Sequence, residues 1–265
     1  MKKFVVIGNP IEHSLSPILH NYWIKKNNID GNYDKRKVSN NDLKKLISQI
    51  KEKKINGLNE TVPFKNRVIP YLDELSLEAK KTQSVNTIYL HEKKVIGHNT
   101  DIDGFELSIK HFKYDIKNKK ILILGAGGVV PSIIEALIRM NVQSISVSNR
   151  TRNNAEKLKN LYKNLIVINW GEIPDFDMII NATSLGLNKD DKINLDFSNV
   201  DNKKFFYDVI YNPKQTNFLE TAQKLGNNTE NGKLMFIYQA LSAFNIWHKL
   251  EPNVDENVIK LLDND

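Results

Sequence analysis

The sequence predicts an α/β protein in two parts, the second built on a Rossmann-like, doubly wound parallel sheet. Two observations carry this. The apolar run Lys120-Ile121-Leu122-Ile123-Leu124 feeds directly into Gly125-Ala126-Gly127-Gly128, and a helical pattern follows from Val130 to about Met140. Strand, tight glycine turn and helix is the context in which a glycine motif reads as a dinucleotide site. The motif also lies in mid-chain, behind a first half that already alternates strand and helix signals. A separate N-terminal α/β domain is therefore expected to hold the substrate.

Within the glycine loop, backbone N–H groups of Ala126 to Val129 can face a pyrophosphate at the helix N-terminus. Val130 stands at the third position of G-x-G-x-x-G, which implies a slightly wider helix–strand approach, and Pro131 is tolerated in a first turn. The stretch Ser144 to Ser148 reads as the next strand and ends at Asn149-Arg150-Thr151. Dinucleotide units that bind NAD place an acidic residue there, whereas this chain has a basic and hydroxyl cluster. A guanidinium binds a 2′-phosphate in a bidentate, charge-assisted way. A polar turn with Thr151 capping the following helix is the alternative reading; together with the glycines the pattern favours NADP. Leu165 to Ile168, Met178 to Ile180 and Phe205 to Val209 read as further buried parallel strands.

The first half opens with a strand, Phe4 to Ile7, and a turn, Gly8-Asn9-Pro10. Ser16 followed by Pro17 reads as an N-cap and first-turn proline, leading a helix with Ile18, Leu19, Tyr22 and Trp23 on one face. A second helix turns Leu43, Leu46, Ile47 and Ile50 inward and leads to a strand near Ile55 to Leu58. That strand opens into Asn59-Glu60-Thr61-Val62-Pro63-Phe64-Lys65, and a strand pair follows, Ser84 to Tyr89 and Val95 to Asp101. Asparagines and hydroxyls near strand ends suit a small polyhydroxylated ligand.

Composition narrows the class. The 265 residues are 40% hydrophobic and include no cysteine, so disulfides and thiolate chemistry are excluded and a cytoplasmic home is expected. The N-terminal apolar run is too short for a signal sequence, and no stretch approaches a membrane span. The net charge of +7 comes from scattered lysines, which reads as a solvated surface with no nucleic-acid partner. The histidines show no metal-ligand spacing, so no metal is expected.

Nine segments, in order over nearly the whole chain, carry a resemblance. They are Ser14-Leu15-Ser16-Pro17, Asn59 to Lys65, Val85-Asn86-Thr87, Asn99-Thr100-Asp101, Gly125 to Gly128, Asn149-Arg150-Thr151, Asn181-Ala182-Thr183-Ser184, Tyr211-Asn212-Pro213 and Met235 to Trp247. This succession resembles the shikimate dehydrogenase family, NADP-dependent enzymes that reduce 3-dehydroshikimate to shikimate on the route to aromatic amino acids. The resemblance implies a discontinuous substrate domain, 1–101 plus 234–265, an NADP(H)-binding domain, 102–233, and an active site in the cleft between them.

The same resemblance implies the roles. Lys65 and Asp101 match the catalytic pair and also touch substrate. Ser14 and Ser16 would bind the substrate carboxylate, with Asn59, Thr61, Asn86 and Gln239 on the ring side and Tyr211 nearby. Gly125, Ala126, Gly127, Gly128 and Val129 would cradle the cofactor, Asn149, Arg150 and Thr151 its 2′-phosphate, and Thr183, Val209 and Gly232 its nicotinamide. A monomer or homodimer acting on a small molecule is implied. Alternatives are a quinate/shikimate enzyme of broader specificity and a non-catalytic NADP sensor on the same fold. Glu60 departs from the family pattern, which has a small or branched apolar residue there, and strand alternation is expected to turn it outward.

Overall fold

The computed structural model describes residues 1–188 and 190–263. The chain divides into two units, Met1–Phe105 with Ile237–Asp265, and Glu106–Phe236. Asn264 and Asp265, the end of the expected discontinuous domain, lie outside the described residues.

The first unit begins β1 (Lys2–Gly8), α1 (Ser16–Lys26), β2 (Gly31–Lys37), α2 (Leu43–Lys51), β3 (Gly57–Glu60), β4 (Glu74–Leu75), α3 (Leu77–Thr82), β5 (Thr87–His91) and β6 (Lys94–His98), and α4 (Asp101–His111) starts in it. Its six-stranded sheet has the order β2-β1-β3-β5-β6-β4. β1 runs parallel to β2 and β3, while β5 and β6 join as antiparallel strands. α2 buries the expected stripe, Leu43, Leu46, Ile47 and Ile50, against Val5, Ile7, Leu58, Val85 and Ile88. Each such fully buried aliphatic side chain contributes about 1.5–3 kcal/mol.

Three local expectations are corrected here. The third strand lies two residues later than the apolar run suggested, at Gly57–Glu60 rather than Ile55–Leu58, because it extends in register with Phe4 to Ile7 of β1. In α1 the N-cap is Leu15 and Ser16 is the first helical residue, with no side-chain cap. Its buried face is Ser16, Leu19, His20, Trp23 and Ile24, leaving Ile18 exposed and Tyr22 only half-buried.

The second unit contains β7 (Lys120–Leu124), α5 (Val130–Arg139), β8 (Ser144–Ser148), α6 (Arg152–Leu161), β9 (Ile166–Ile168), β10 (Met178–Asn181), β11 (Phe205–Asp208), α7 (Asn217–Lys224) and β12 (Asn228–Glu230). These six strands are all parallel and ordered β12-β11-β10-β7-β8-β9. This is the 3-2-1-4-5-6 order of the dinucleotide fold, and its switch point falls between β7 and β10. β9 is the edge of the sheet and is not buried as expected: Ile166 is 48% exposed.

The chain then forms α8 (Lys233–His248) and α9 (Glu256–Leu261). In the first unit α8 brings Phe244, Trp247 and His248 onto Phe4, His20 and Trp23. A Cβ on Gly57 would sit 2.4 Å from the Trp247 ring, so β3 begins with glycine where that ring packs against the strand. No helix among the described residues is long and apolar enough to cross a membrane.

Candidate active site

In the first unit the ends of β3, β5 and β6 converge with the start of α4. Lys65 Nζ donates to Asp101 Oδ2, and the two side chains are only 15% and 8% exposed. Asp101 sits in the first turn of α4, where a negative charge meets the positive end of the helix dipole. It is not the strand-end residue that the sequence suggested. Its other oxygen accepts from Asn86 Nδ2 at 2.9 Å.

Asn86 is the pivot of this cluster. Its Oδ1 accepts from the Thr100 N–H at 2.8 Å and from the hydroxyls of Thr87 and Thr100 at 3.1 Å. With its oxygen so engaged, its amide N–H₂ can only point to Asp101 and, at 3.5 Å, to Gln239 Oε1. Asn99 completes the frame: its Oδ1 accepts from the Asp101 N–H and its Nδ2 donates to the Ser84 carbonyl. The Lys65 carbonyl accepts from the Val85 N–H at 2.7 Å, so both ends of the Lys65–Asp101 pair are tied to the segment that carries Asn86.

A second group gathers around Asn59 of β3. Asn59 Nδ2 donates to the Asn86 carbonyl and to Thr87 Oγ1, and its Oδ1 accepts from the Tyr33 hydroxyl at 2.6 Å. Ser16 also hydrogen-bonds that hydroxyl, and the Ser16 N–H reaches Ser14 Oγ at 3.4 Å. Tyr33 stacks on His20, with centroids 4.2 Å apart and planes within 2°. Burial pushes the Tyr33 phenol well up and holds His20 down at about 3. Thr61 is half-buried and packs on Gly8. Sequence reasoning missed Tyr33 and His20. A lone tyrosine in the polar strand Gly-Asn-Tyr-Asp-Lys-Arg-Lys offers no periodicity that could have found it.

Glu60 is a further correction. It is 2% exposed rather than turned outward, because β3 is an interior strand between β1 and β5 and has no solvent face. Both of its carboxyl oxygens are buried with no hydrogen-bond partner.

In the second unit the predicted cofactor residues follow β7, β8, β10, β11 and β12, and those after β7 and β10 flank the switch point. Gly125 adopts φ +109°, and a Cβ there would stand 2.8 Å from the Ala182 carbonyl oxygen, so only glycine fits between the β7 and β10 loops. A Cβ on Gly128 would meet nothing within 4 Å, so internal packing does not require a glycine there. Thr183 is held by Asn181, whose Oδ1 accepts from both its N–H and its hydroxyl. Asn181 Nδ2 donates to Asp208, which burial pushes up to about 6 despite three hydrogen bonds. Val209 and Gly232 meet closely, since a Cβ on Gly232 would overlap the Val209 carbonyl oxygen at 2.0 Å.

At the end of β8, Arg150 is exposed and Asn149 Nδ2 donates to the Thr151 carbonyl. Thr151 is the N-cap of α6, although its side chain makes no cap hydrogen bond. Arg152 is instead engaged by Asn169 and Glu156. Tyr211 stacks on Phe236 at 4.6 Å, and burial pushes its phenol up to about 12.

Comparison with known proteins bears directly on this arrangement. Residues 6–88 match the family model for the shikimate dehydrogenase substrate binding domain, and residues 106–241 the model described as shikimate / quinate 5-dehydrogenase. The chain belongs to the shikimate dehydrogenase family. It is 57% identical over 262 residues to a protein of Pelagibacter ubique named shikimate dehydrogenase (NADP(+)), with 99% of each chain covered. It also resembles the crystal structure of shikimate dehydrogenase from Aquifex aeolicus (TM-score 0.92, 34% identity, 100% and 98% of the two chains). A shikimate dehydrogenase of Thermus thermophilus, solved with NADP(H) and shikimate, is similar too (TM-score 0.89, 28% identity, 98% and 97% covered).

Proposed function

We propose that this shikimate dehydrogenase family member reduces 3-dehydroshikimate to shikimate with NADPH, reversibly, and that Lys65 and Asp101 are its catalytic pair. The observation that carries the assignment is the Lys65–Asp101 contact, nearly buried and locked by Asn86, in a chain of this family.

Hydride reaching a ketone carbon builds negative charge on the oxygen, which must be stabilised and then protonated. Bound NADPH supplies that hydride. Lys65 donates a hydrogen bond and then the proton to the oxygen from Nζ, and Asp101 holds the ammonium in place and shares the proton with it. Asn86 fixes Asp101 and would turn its second amide N–H, which is 3.5 Å from Gln239 Oε1, to a ring hydroxyl, with Thr61 and Gln239 taking others. Ser14 and Ser16 bind the substrate carboxylate. Asn59, anchored by Tyr33, keeps Asn86 and Thr87 in register, and Tyr211 is a further substrate-binding residue.

The cofactor fits the residues present. The backbone of Gly125, Ala126, Gly127, Gly128 and Val129, at the N-terminus of α5, would take the pyrophosphate. The exposed Arg150, with Asn149 and Thr151, would take the 2′-phosphate, while Thr183, Val209 and Gly232 would line the nicotinamide. The substrate-binding part is 1–101 with 234–265 and the cofactor part 102–233. The protein works in the cytoplasm on a small molecule, as a monomer or homodimer.

The test follows NADPH absorbance with 3-dehydroshikimate, with NADH and, separately, NADP with quinate in parallel. NADPH oxidation with quinate inert is the expected result; quinate turnover would give the broader enzyme. Lys65→Ala should bind NADPH and lose about 10²–10⁴-fold in kcat. Wild-type kcat in that variant would overturn the pair, and NADPH binding with no turnover by the wild type would point to a sensor.

A further inference from the structure

Glu60 combines features that ordinary packing does not explain. It closes β3, opposite Ile7 of β1 in register, with its N–H donating to the Asn86 carbonyl at 3.1 Å. It is therefore anchored to the same residue that orients Asp101. Its side chain is buried, and neither oxygen has a partner. An isolated carboxylate in such surroundings carries a large desolvation cost, which disfavours the ionised form.

The titratable groups that sense Glu60 are Lys65, which follows β3, Asp101 at the start of α4, and Tyr33 on β2. Burial is the largest influence and raises its pKa well above the ordinary value. The Lys65 ammonium opposes this, and Asp101 reinforces it.

We propose that Glu60 is a positioning residue: as a neutral acid it leaves the Lys65 ammonium with one carboxylate partner, and on ionisation it sets a second negative charge beside the site of an anionic substrate. The proposal rests on the reading of Lys65 and Asp101 given above. With Glu60 neutral, the ammonium and the Asp101 carboxylate sum to zero charge. The substrate carboxylate then meets no net repulsion, and Lys65 is not drawn between two acids. With Glu60 ionised the cluster carries −1, and the anion binds more weakly, by roughly tenfold for charges about 12 Å apart at an effective dielectric near 20.

Three measurements on the full-length protein test this. An infrared difference spectrum of wild type against Glu60→Gln at pH 7 should show the carbonyl band of a protonated carboxyl, lost in the variant. A carboxylate signal instead would overturn the proposal. KM for 3-dehydroshikimate, followed from pH 6 to 10, should rise by roughly tenfold in the wild type. In Glu60→Gln and in Glu60→Met, which are both neutral at every pH, that rise should be absent while kcat at pH 7 is kept. KM profiles that coincide in wild type and both variants would overturn it, as would loss of kcat in both variants.

Glu60→Met replaces an unpartnered acid by an apolar chain of similar length, so it should fold at least as well as the wild type. Lys65→Ala is assayed in parallel. Full turnover there would remove the pair and this role with it. That failure is separable from one in Glu60, because the infrared band does not depend on turnover.

Discussion

Replacing Asp101 by Asn tests the proposed pair with almost no change of shape. The carboxylate offers two acceptor oxygens, whereas the carboxamide offers one acceptor and one donor. Both neighbours are donors: Lys65 Nζ on Oδ2 and Asn86 Nδ2 on Oδ1. Asn86 cannot turn over to accommodate the new amide, because its oxygen is taken by the Thr100 N–H and by the hydroxyls of Thr87 and Thr100. One donor must therefore face another, and the ammonium loses its counter-charge.

Breaking a buried pair by removing one charge costs about 3–5 kcal/mol. The small residual exposure of the two side chains, 15% and 8%, argues for the lower end of that range. At about 2–4 °C per kcal/mol for a chain of this size, Tm should fall by roughly 6–12 °C. The loss of orientation at Lys65 should lower kcat by about 10²–10⁴-fold. Calorimetry and the NADPH assay read the two effects on one preparation, and a double-mutant cycle with Lys65→Ala should show strongly non-additive kcat losses. Unchanged Tm together with kcat within about twofold of wild type would refute the coupling, since that difference is under half a kcal/mol.

Two further outcomes are expected. Arg150→Ala should raise KM for NADPH by roughly 10–100-fold through loss of a charge-assisted phosphate contact and leave KM for NADH unchanged; an equal rise for both cofactors would show that Arg150 does not read the 2′-phosphate. Burial lifts Asp208 to about 6 from an ordinary 3.8. Its folded pKa lies above the unfolded one, so its stabilising contribution is complete below about pH 4 and is lost as pH rises through about 6, a change of order 3 kcal/mol. Asp208→Asn should remove this loss: the new oxygen keeps the bonds from Asn181 and the Ile210 N–H, and the new amide donates to Thr216, which now donates to Asp208. Urea unfolding at pH 4 to 7 measures the difference, and parallel stability curves for the two proteins would contradict it.

Where one rule governed a segment, the sequence predicted it well. The stripe Leu43, Leu46, Ile47, Ile50 is the buried face of α2, and the apolar runs around 121–124, 178–180 and 205–208 are the central strands of the parallel sheet. Edges were harder to read. β2 is an edge strand whose only buried residue is Tyr33, so it shows neither alternation nor an apolar run. β9, at the other sheet's edge, looks apolar but is half open to solvent. In α1 the buried face was misplaced because a histidine belongs to it: His20 is 1% exposed, stacked between Tyr33 and the aromatic side chains of α8.

The candidate site was legible only through ordered motifs, because its physical logic runs against local rules. Asn59, Glu60, Asn86, Asn99, Thr100 and Asp101 are all buried, and a reading based on polarity places each of them in a loop or facing solvent. Five of them are satisfied by partners that come from other parts of the chain, as when Asn86 links Thr100, Asp101 and Gln239. Such burial is tolerated because each of their buried side-chain polar atoms has a hydrogen-bond partner, but the matching is tertiary and leaves no trace in spacing. Glu60 is the sixth and has no partner. The five satisfied residues tie β3, β5 and the start of α4 to one another by hydrogen bonds, and that network keeps an unpartnered acid buried beside Lys65 and Asp101.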